Sequence, residues 1–222
     1  LEMWESEGDF SFKGKYFDIN APALDPIRER GYHMRPLQQP HPPIFAAASS
    51  SRSASIRTAA QRGYKPMSSS GLAPRYLAEH WDVIEDAAAE AGTEVNRSDW
   101  RVARDVFIAE TDELARERAK AVLGRNYIQH QLPNRANSGQ IQNAKINDNV
   151  ADDDLDVDYM IDNIWIVGGP KECAEKIRNL YNEVGGFGHL LAITQDPDDP
   201  SWEHDTLDLL KEEVAPLVSD LV

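Results

Sequence analysis

The chain has 222 residues, 41 % of them apolar and 8 % aromatic, which is enough for a real core in one large domain or two small ones. Its 38 acidic and 23 basic residues leave a net charge of −15 with no lysine- or arginine-rich patch, so nucleic acid and anionic membrane surfaces are excluded as natural partners. The single cysteine, Cys173, rules out an intrachain disulfide and fits a reducing cytoplasm, and no apolar run reaches the length of a membrane span.

The opening Leu1-Glu2-Met3-Trp4-Glu5 reads as the end of an amphipathic helix already under way, so further sequence is expected upstream. Residues 44–48 form a compact apolar run after a proline-rich approach flanked by His33 and His41, and they lead through serines into a helical spacing at Ile56, Ala59 and Ala60. Gly63 stops that helix, residues 64–67 make a second short strand, and Ser68-Ser69-Ser70-Gly71 is its loop. The next helix, 74–91, should bury Leu77, Trp81, Ile84 and Ala88. A third strand covers 100–109, and Thr111 or Asp112 caps a helix over 113–123.

From 124 to 163 the pattern lapses into Asn, Gln, Asp and Gly, as in an insertion carried outside the core. Residues 165–167 are briefly extended, Gly168-Gly169-Pro170 turns the chain, and a helix follows over 171–184. A last strand over 189–194 and a helix over 205–217, broken only in its final turn by Pro216, complete the chain. Alternating strands and helices imply a parallel α/β sheet in a single domain, 1–222. Four parallel strands in sequence cannot close a barrel, so they belong either to an open doubly wound sheet or to a barrel whose other strands lie elsewhere.

In such folds reactive loops follow the C-terminal ends of strands. Ala48-Ser49-Ser50-Ser51-Arg52-Ser53 is the strongest candidate: a strand ending in small hydroxyl residues at a helix start offers free N–H groups and a positive dipole end to a phosphate. The same serines could simply cap the helix. The aspartates at 152–158 and 196–199 lack the glycine and closing glutamate of a calcium loop and read as solvated. No nucleophile motif is present, no two histidines have metal-ligand spacing, and Cys173 and His80 read as packed; such a chain leaves the chemistry to a cofactor.

Several stretches carry a family likeness. Leu1 to Glu5 with Phe10-Ser11-Phe12-Lys13-Gly14-Lys15-Tyr16-Phe17, then Arg35-Pro36-Leu37-Gln38-Gln39-Pro40-His41-Pro42-Pro43-Ile44 and Ala47-Ala48-Ser49-Ser50, resemble luciferase-like flavin monooxygenases, in particular their limonene-monooxygenase-like branch. Arg104-Asp105-Val106-Phe107-Ile108-Ala109-Glu110-Thr111-Asp112-Glu113, Trp165-Ile166-Val167-Gly168-Gly169-Pro170 and Glu183-Val184-Gly185-Gly186-Phe187-Gly188 continue the likeness in order.

The resemblance implies a (β/α)8 TIM-type barrel, of which this chain supplies about the last four β/α units. It implies reduced FMN at the C-terminal strand ends, with Ala48, Ser49, Ser50 and Ser53 around its phosphate and Met67 and Ser68 facing the flavin or the substrate. Residues 124–163 would then cover the active site, with Tyr127, His130 and Trp165 as pocket residues, while the catalytic residues would lie in the part of the barrel before this chain. The implied enzyme takes reduced FMN from a separate flavin reductase, consumes dioxygen, oxygenates a small, largely apolar substrate and is a homo-oligomer at full length. Two alternatives are a deazaflavin-dependent hydride-transfer enzyme of the same fold and a non-catalytic flavin-binding homologue.

Overall fold

The computed structural model describes residues 1–6, 9–22, 25, 27–28 and 35–221; His33 lies outside them. Where the sequence alone reads as one domain, contacts divide the chain into two compact units, Leu1–Ile44 and Phe45–Val222. The first holds a one-turn helix, α1 (Glu2–Glu5), and an antiparallel hairpin of β1 (Phe10–Lys13) and β2 (Asp18–Ala21), closed by Gly14 N–H donating to the Phe17 carbonyl at 2.9 Å. The sequence reading has no hairpin here. Phe10, Phe12, Ile19 and Ala21 do alternate, but over strands at the shortest length that periodicity resolves.

The second unit is the α/β body. β3 (Phe45–Ala48) is followed by α2 (Ala54–Gln61), β4 (Lys65–Ser68) by α3 (Pro74–Ala91), and β5 (Arg101–Ile108) by α4 (Asp112–Ala119). All strand pairings in it are parallel. Val102 pairs with Ser68 of β4 and with Leu190 of β7 (His189–Ile193), so the strands lie in the order β3-β4-β5-β7. A three-residue strand, β6 (Ile166–Gly168), extends the sheet at the far end of β5. α7 (Pro170–Glu183) links it to β7, and α8 (Ser201–Leu209) runs through a π turn, Leu210–Val214, into Ala215–Leu217. No helix among the described residues is long and apolar enough to cross a membrane.

α2, α3 and α7 cover one side of this sheet. Val102 packs with Leu77, Trp81 and Ile84 of α3, as their spacing requires, and Val106 and Ile108 pack with Cys173, Ile177 and Val214. By strand alternation Ala103, Asp105 and Phe107 face the other way, toward what would be the inside of a barrel.

Residues 124–163 differ from expectation. The helix begun by α4, with Thr111 as its cap, continues through π turns Lys120–Gly124 and Tyr127–Gln131 into α5 (Leu132–Asn137), and α6 (Val157–Asn163) follows. Far from lying outside the core, this segment builds one: Val122, Leu123, Tyr127, Leu155, Met160 and Ile161 are buried with Phe107 and Trp165. Its apolar residues sit four and five apart around the π turns, a spacing that a 3.6-residue period does not reveal.

One packing contact of α3 fixes the loop after β3. His80 is fully buried, and its Nε2 lies 2.6 Å from the Ser50 carbonyl, which can only accept; the proton is therefore on Nε2. Nδ1 then accepts from Ser68 Oγ at 2.9 Å, and that hydroxyl accepts from Trp100 Nε1 at 2.9 Å. The side-chain donors of Trp100, Ser68 and His80 are all used, and the relay ends on the Ser50 carbonyl. Burial lowers the His80 pKa from its ordinary 6.5, against the Ser50 bond and Glu79, which raise it.

The unfolded chain therefore takes up a proton near pH 6.5 that the folded chain refuses until lower pH, so this residue's stabilisation fades as the pH falls below that value. His80→Leu strands the Ser68 hydroxyl and the Ser50 carbonyl and should cost about 1–3 kcal/mol in urea unfolding at pH 7.5. The wild-type advantage over the variant should shrink between pH 7 and 5; an advantage that grows on acidification would show that the imidazole is charged.

Candidate functional site

The Ser49–Ser53 loop stands at the C-terminal end of β3, beside the loop that follows β4, where a parallel fold places its reactive groups. Its serines have distinct duties. Ser53 caps α2 by accepting from Ser55 N–H at 3.3 Å, and Ser51 donates to Glu79 at 2.5 Å. The hydroxyls of Ser49, exposed, and Ser50, half-buried, are left over. The backbone N–H groups of Ser49, Ser50, Ser51 and Arg52 hydrogen-bond nothing among the described residues. Arg52, with φ at +41°, turns the backbone into the left-handed region, and its side chain is exposed. Free donors, a helix N-terminus and the Arg52 guanidinium are the groups in this loop that could hold a small anion. Ser53 thus meets the capping reading, while Ser49 and Ser50 keep hydroxyls that the fold does not use.

The sheet's inner face continues the site. Ala48 and Ser68 point to the helices, so Ala47 and the half-buried Met67 point inward, side by side in register. On β5 the inward Asp105 is 2 % exposed. Its Oδ1 accepts from Gln195 Nε2 at 3.4 Å, its Oδ2 is buried without a partner, and Gln195 in turn accepts from Asn126 at 2.8 Å. Burial holds its carboxyl above the usual range, against the lowering pull of Ser70, Gln195, Arg104 and Arg135. Sequence reading missed Asp105 and Gln195, and its reading of His80 as packed is right but does not reveal the bond to Ser50. A lone acid or histidine in an apolar run carries no local sign of what the sheet sets beside it.

The residues expected to line a pocket over the site lie elsewhere, whereas Gly168-Gly169 and Cys173 keep the roles read from the sequence. Tyr127 has no exposed surface, its hydroxyl donates to the Leu155 carbonyl at 2.9 Å, and its ring meets Trp165 edge-to-face at 5.6 Å, so both rings serve the core that the 124–163 segment builds. The cleft that Trp165 borders is lined also by Asn179 and Leu180 of α7 and lies on the helix-covered side. His130 is exposed. Gly169 N–H is taken by Asp112 at 2.6 Å, so the Gly168-Gly169 turn is a helix start without an anion site. Burial pushes the Cys173 thiol up to about 12, where it is inert.

The aspartate run is put to structural use. Asp156 caps α6, Asp158 pairs with Arg116 and Lys120, and Asp152 pairs with Lys145 at 2.5 Å. Among the described residues no three His, Cys, Asp or Glu side chains are grouped to hold a metal ion.

Known proteins share this fold. The model of the luciferase-like monooxygenase family matches residues 1–186. The 3,6-diketocamphane 1,6-monooxygenase of Pseudomonas putida is 32 % identical over 98 % of this chain and 59 % of its own length; limonene 1,2-monooxygenase of Rhodococcus erythropolis is 32 % identical over 63 % of this chain and 34 % of its own. The structure of the oxygenating constituent of 3,6-diketocamphane monooxygenase in complex with FMN superposes with a TM-score of 0.82 at 31 % identity, covering 97 % of this chain and 60 % of that one. A coenzyme F420-dependent tetrahydromethanopterin reductase from Methanopyrus kandleri, at 20 % identity and a TM-score of 0.58, shares the fold alone. This chain thus spans about three fifths of the diketocamphane relative, its parallel strands and helices are part of a luciferase-like TIM barrel, and it belongs to the luciferase-like monooxygenase family.

Proposed function

We propose that this chain belongs to a monooxygenase that binds reduced FMN and oxygenates a small, largely apolar organic substrate. The observation that carries the reading is the loop after β3: four unpaired N–H groups and two unused hydroxyls at a strand end suit a phosphomonoester, and FMN ends in one. Reduced flavin supplies the chemistry, activation of dioxygen and delivery of one of its atoms. The residues of this chain bind and enclose. Ser49, Ser50 and the loop amides hold the phosphate, and His80 keeps the Ser50 peptide turned the right way. Ala47, Met67 and Ala103 line an apolar inner wall that excludes water from the reacting centre. The diketocamphane relatives' names point to a cage-like ketone as substrate class. A separate flavin reductase, a homo-oligomeric full-length enzyme and a cytoplasmic location belong to the same proposal.

Purified protein should bind FMN more tightly than riboflavin, which lacks the phosphate, when flavin fluorescence quenching is followed. Replacing both Ser49 and Ser50 by alanine should weaken FMN about tenfold or more, the effect of losing one or two charge-assisted hydrogen bonds, and leave riboflavin unchanged. Equal affinity for the two flavins in wild-type protein would remove the phosphate site. Preference for a deazaflavin that does not consume dioxygen would move the enzyme to hydride transfer.

A further inference from the structure

The loop after β4 is gripped by two arginines. Arg104, fully buried, donates Nη1 to the Ser70 carbonyl at 3.2 Å and Nη2 to the Leu72 carbonyl at 3.0 Å, pinning the backbone on both sides of Gly71. Arg135, on α5, lays its guanidinium directly on Gly71: a Cβ at that position would stand 1.8 Å from Nη2. Only glycine leaves room for it. The Arg135 side chain is half-buried, yet it has no hydrogen-bond or ion-pair partner among the described residues. Its charge is felt by Asp105, whose Oδ2 is itself buried and unpartnered on the inner face of β5.

A half-buried guanidinium with no acceptor in the fold keeps its donors free for a ligand. Asp105 balances its charge, so a second anion is disfavoured and a neutral oxygen acceptor fits best. We propose that Arg135 is the polar anchor of the pocket on the sheet's inner face, donating to a carbonyl oxygen of the bound small molecule, with Asp105 as its counter-charge. This rests on the proposed monooxygenase reading, which makes that face the pocket. Two ligands could present the carbonyl: a ketone substrate, or the pyrimidine ring of the flavin.

The test is a set of binding titrations on purified protein with 3,6-diketocamphane, with camphane as the same cage without carbonyls, and with FMN and riboflavin. Tryptophan fluorescence reports the cage compounds with and without flavin present. Wild-type protein should prefer the diketone to camphane, and Arg135→Met should raise the diketone Kd about tenfold or more while camphane and both flavins hold their affinities. Gly71→Ala, which keeps every side-chain donor but displaces the guanidinium, should reproduce the loss; it decides the matter if Arg135→Met does not fold.

A rise in the Kd of FMN and riboflavin alike, with flavin-free diketone binding unchanged, would assign the carbonyl to the flavin and still support the anchor. With both flavin affinities unchanged, diketone and camphane weakened equally, no preference between them in wild-type protein, or no change in any titration would overturn it. Protein that fails to bind FMN refutes the functional reading instead, and the flavin-free titrations still judge Arg135.

Discussion

A neutral imidazole holds the candidate site together. Because the Ser50 carbonyl can only accept, His80 must keep its proton on Nε2, and because Nε2 is committed, Ser68 and Trp100 can be oriented in only one way. The loop that carries the free amides is thus fixed by the core behind it rather than by its own hydrogen bonds. That division suits an anion site, since amides consumed in holding the loop would be lost to the ligand.

β5 sorts its functions by face. Arg104 reaches outward and pins the neighbouring loop, and Asp105, the next residue, reaches inward with an unsatisfied oxygen. Burial pulls the Arg104 guanidinium down to about 10, so it stays charged at neutral pH, compensated by the three carbonyls of Ser70, Leu72 and Ala103. A single strand thereby stabilises one loop and places a buried carboxylate on the opposite face. The alternation that makes this possible is the period of two of any extended chain.

The α/β architecture, the barrel strands and the buried stripe Leu77, Trp81, Ile84, Ala88 were legible because burial imposes periods that local sequence records. The serine loop was legible for the same kind of reason, as small hydroxyl residues at a strand-to-helix junction. What stayed hidden depends on long-range neighbours: His80 on Ser68 and Ser50, Asp105 on Gln195, Arg135 on Gly71. The 124–163 segment misled because its core is built around π turns, and its Tyr127 and Trp165 were assigned to a pocket when they pack against each other.

Those π turns have a geometric consequence. Each accommodates one residue more than an α-helical turn, and a residue in an α-helix subtends about 100° around the axis, so the two together set the azimuth at which everything downstream emerges. The direction in which α5 projects its side chains is therefore a phase, written into the spacing between Ala119 and Leu132 rather than into any one residue. Removing a single residue from one of the two turns would regularise that turn alone and swing everything after it by about 100° around the axis, so that a different flank meets the sheet.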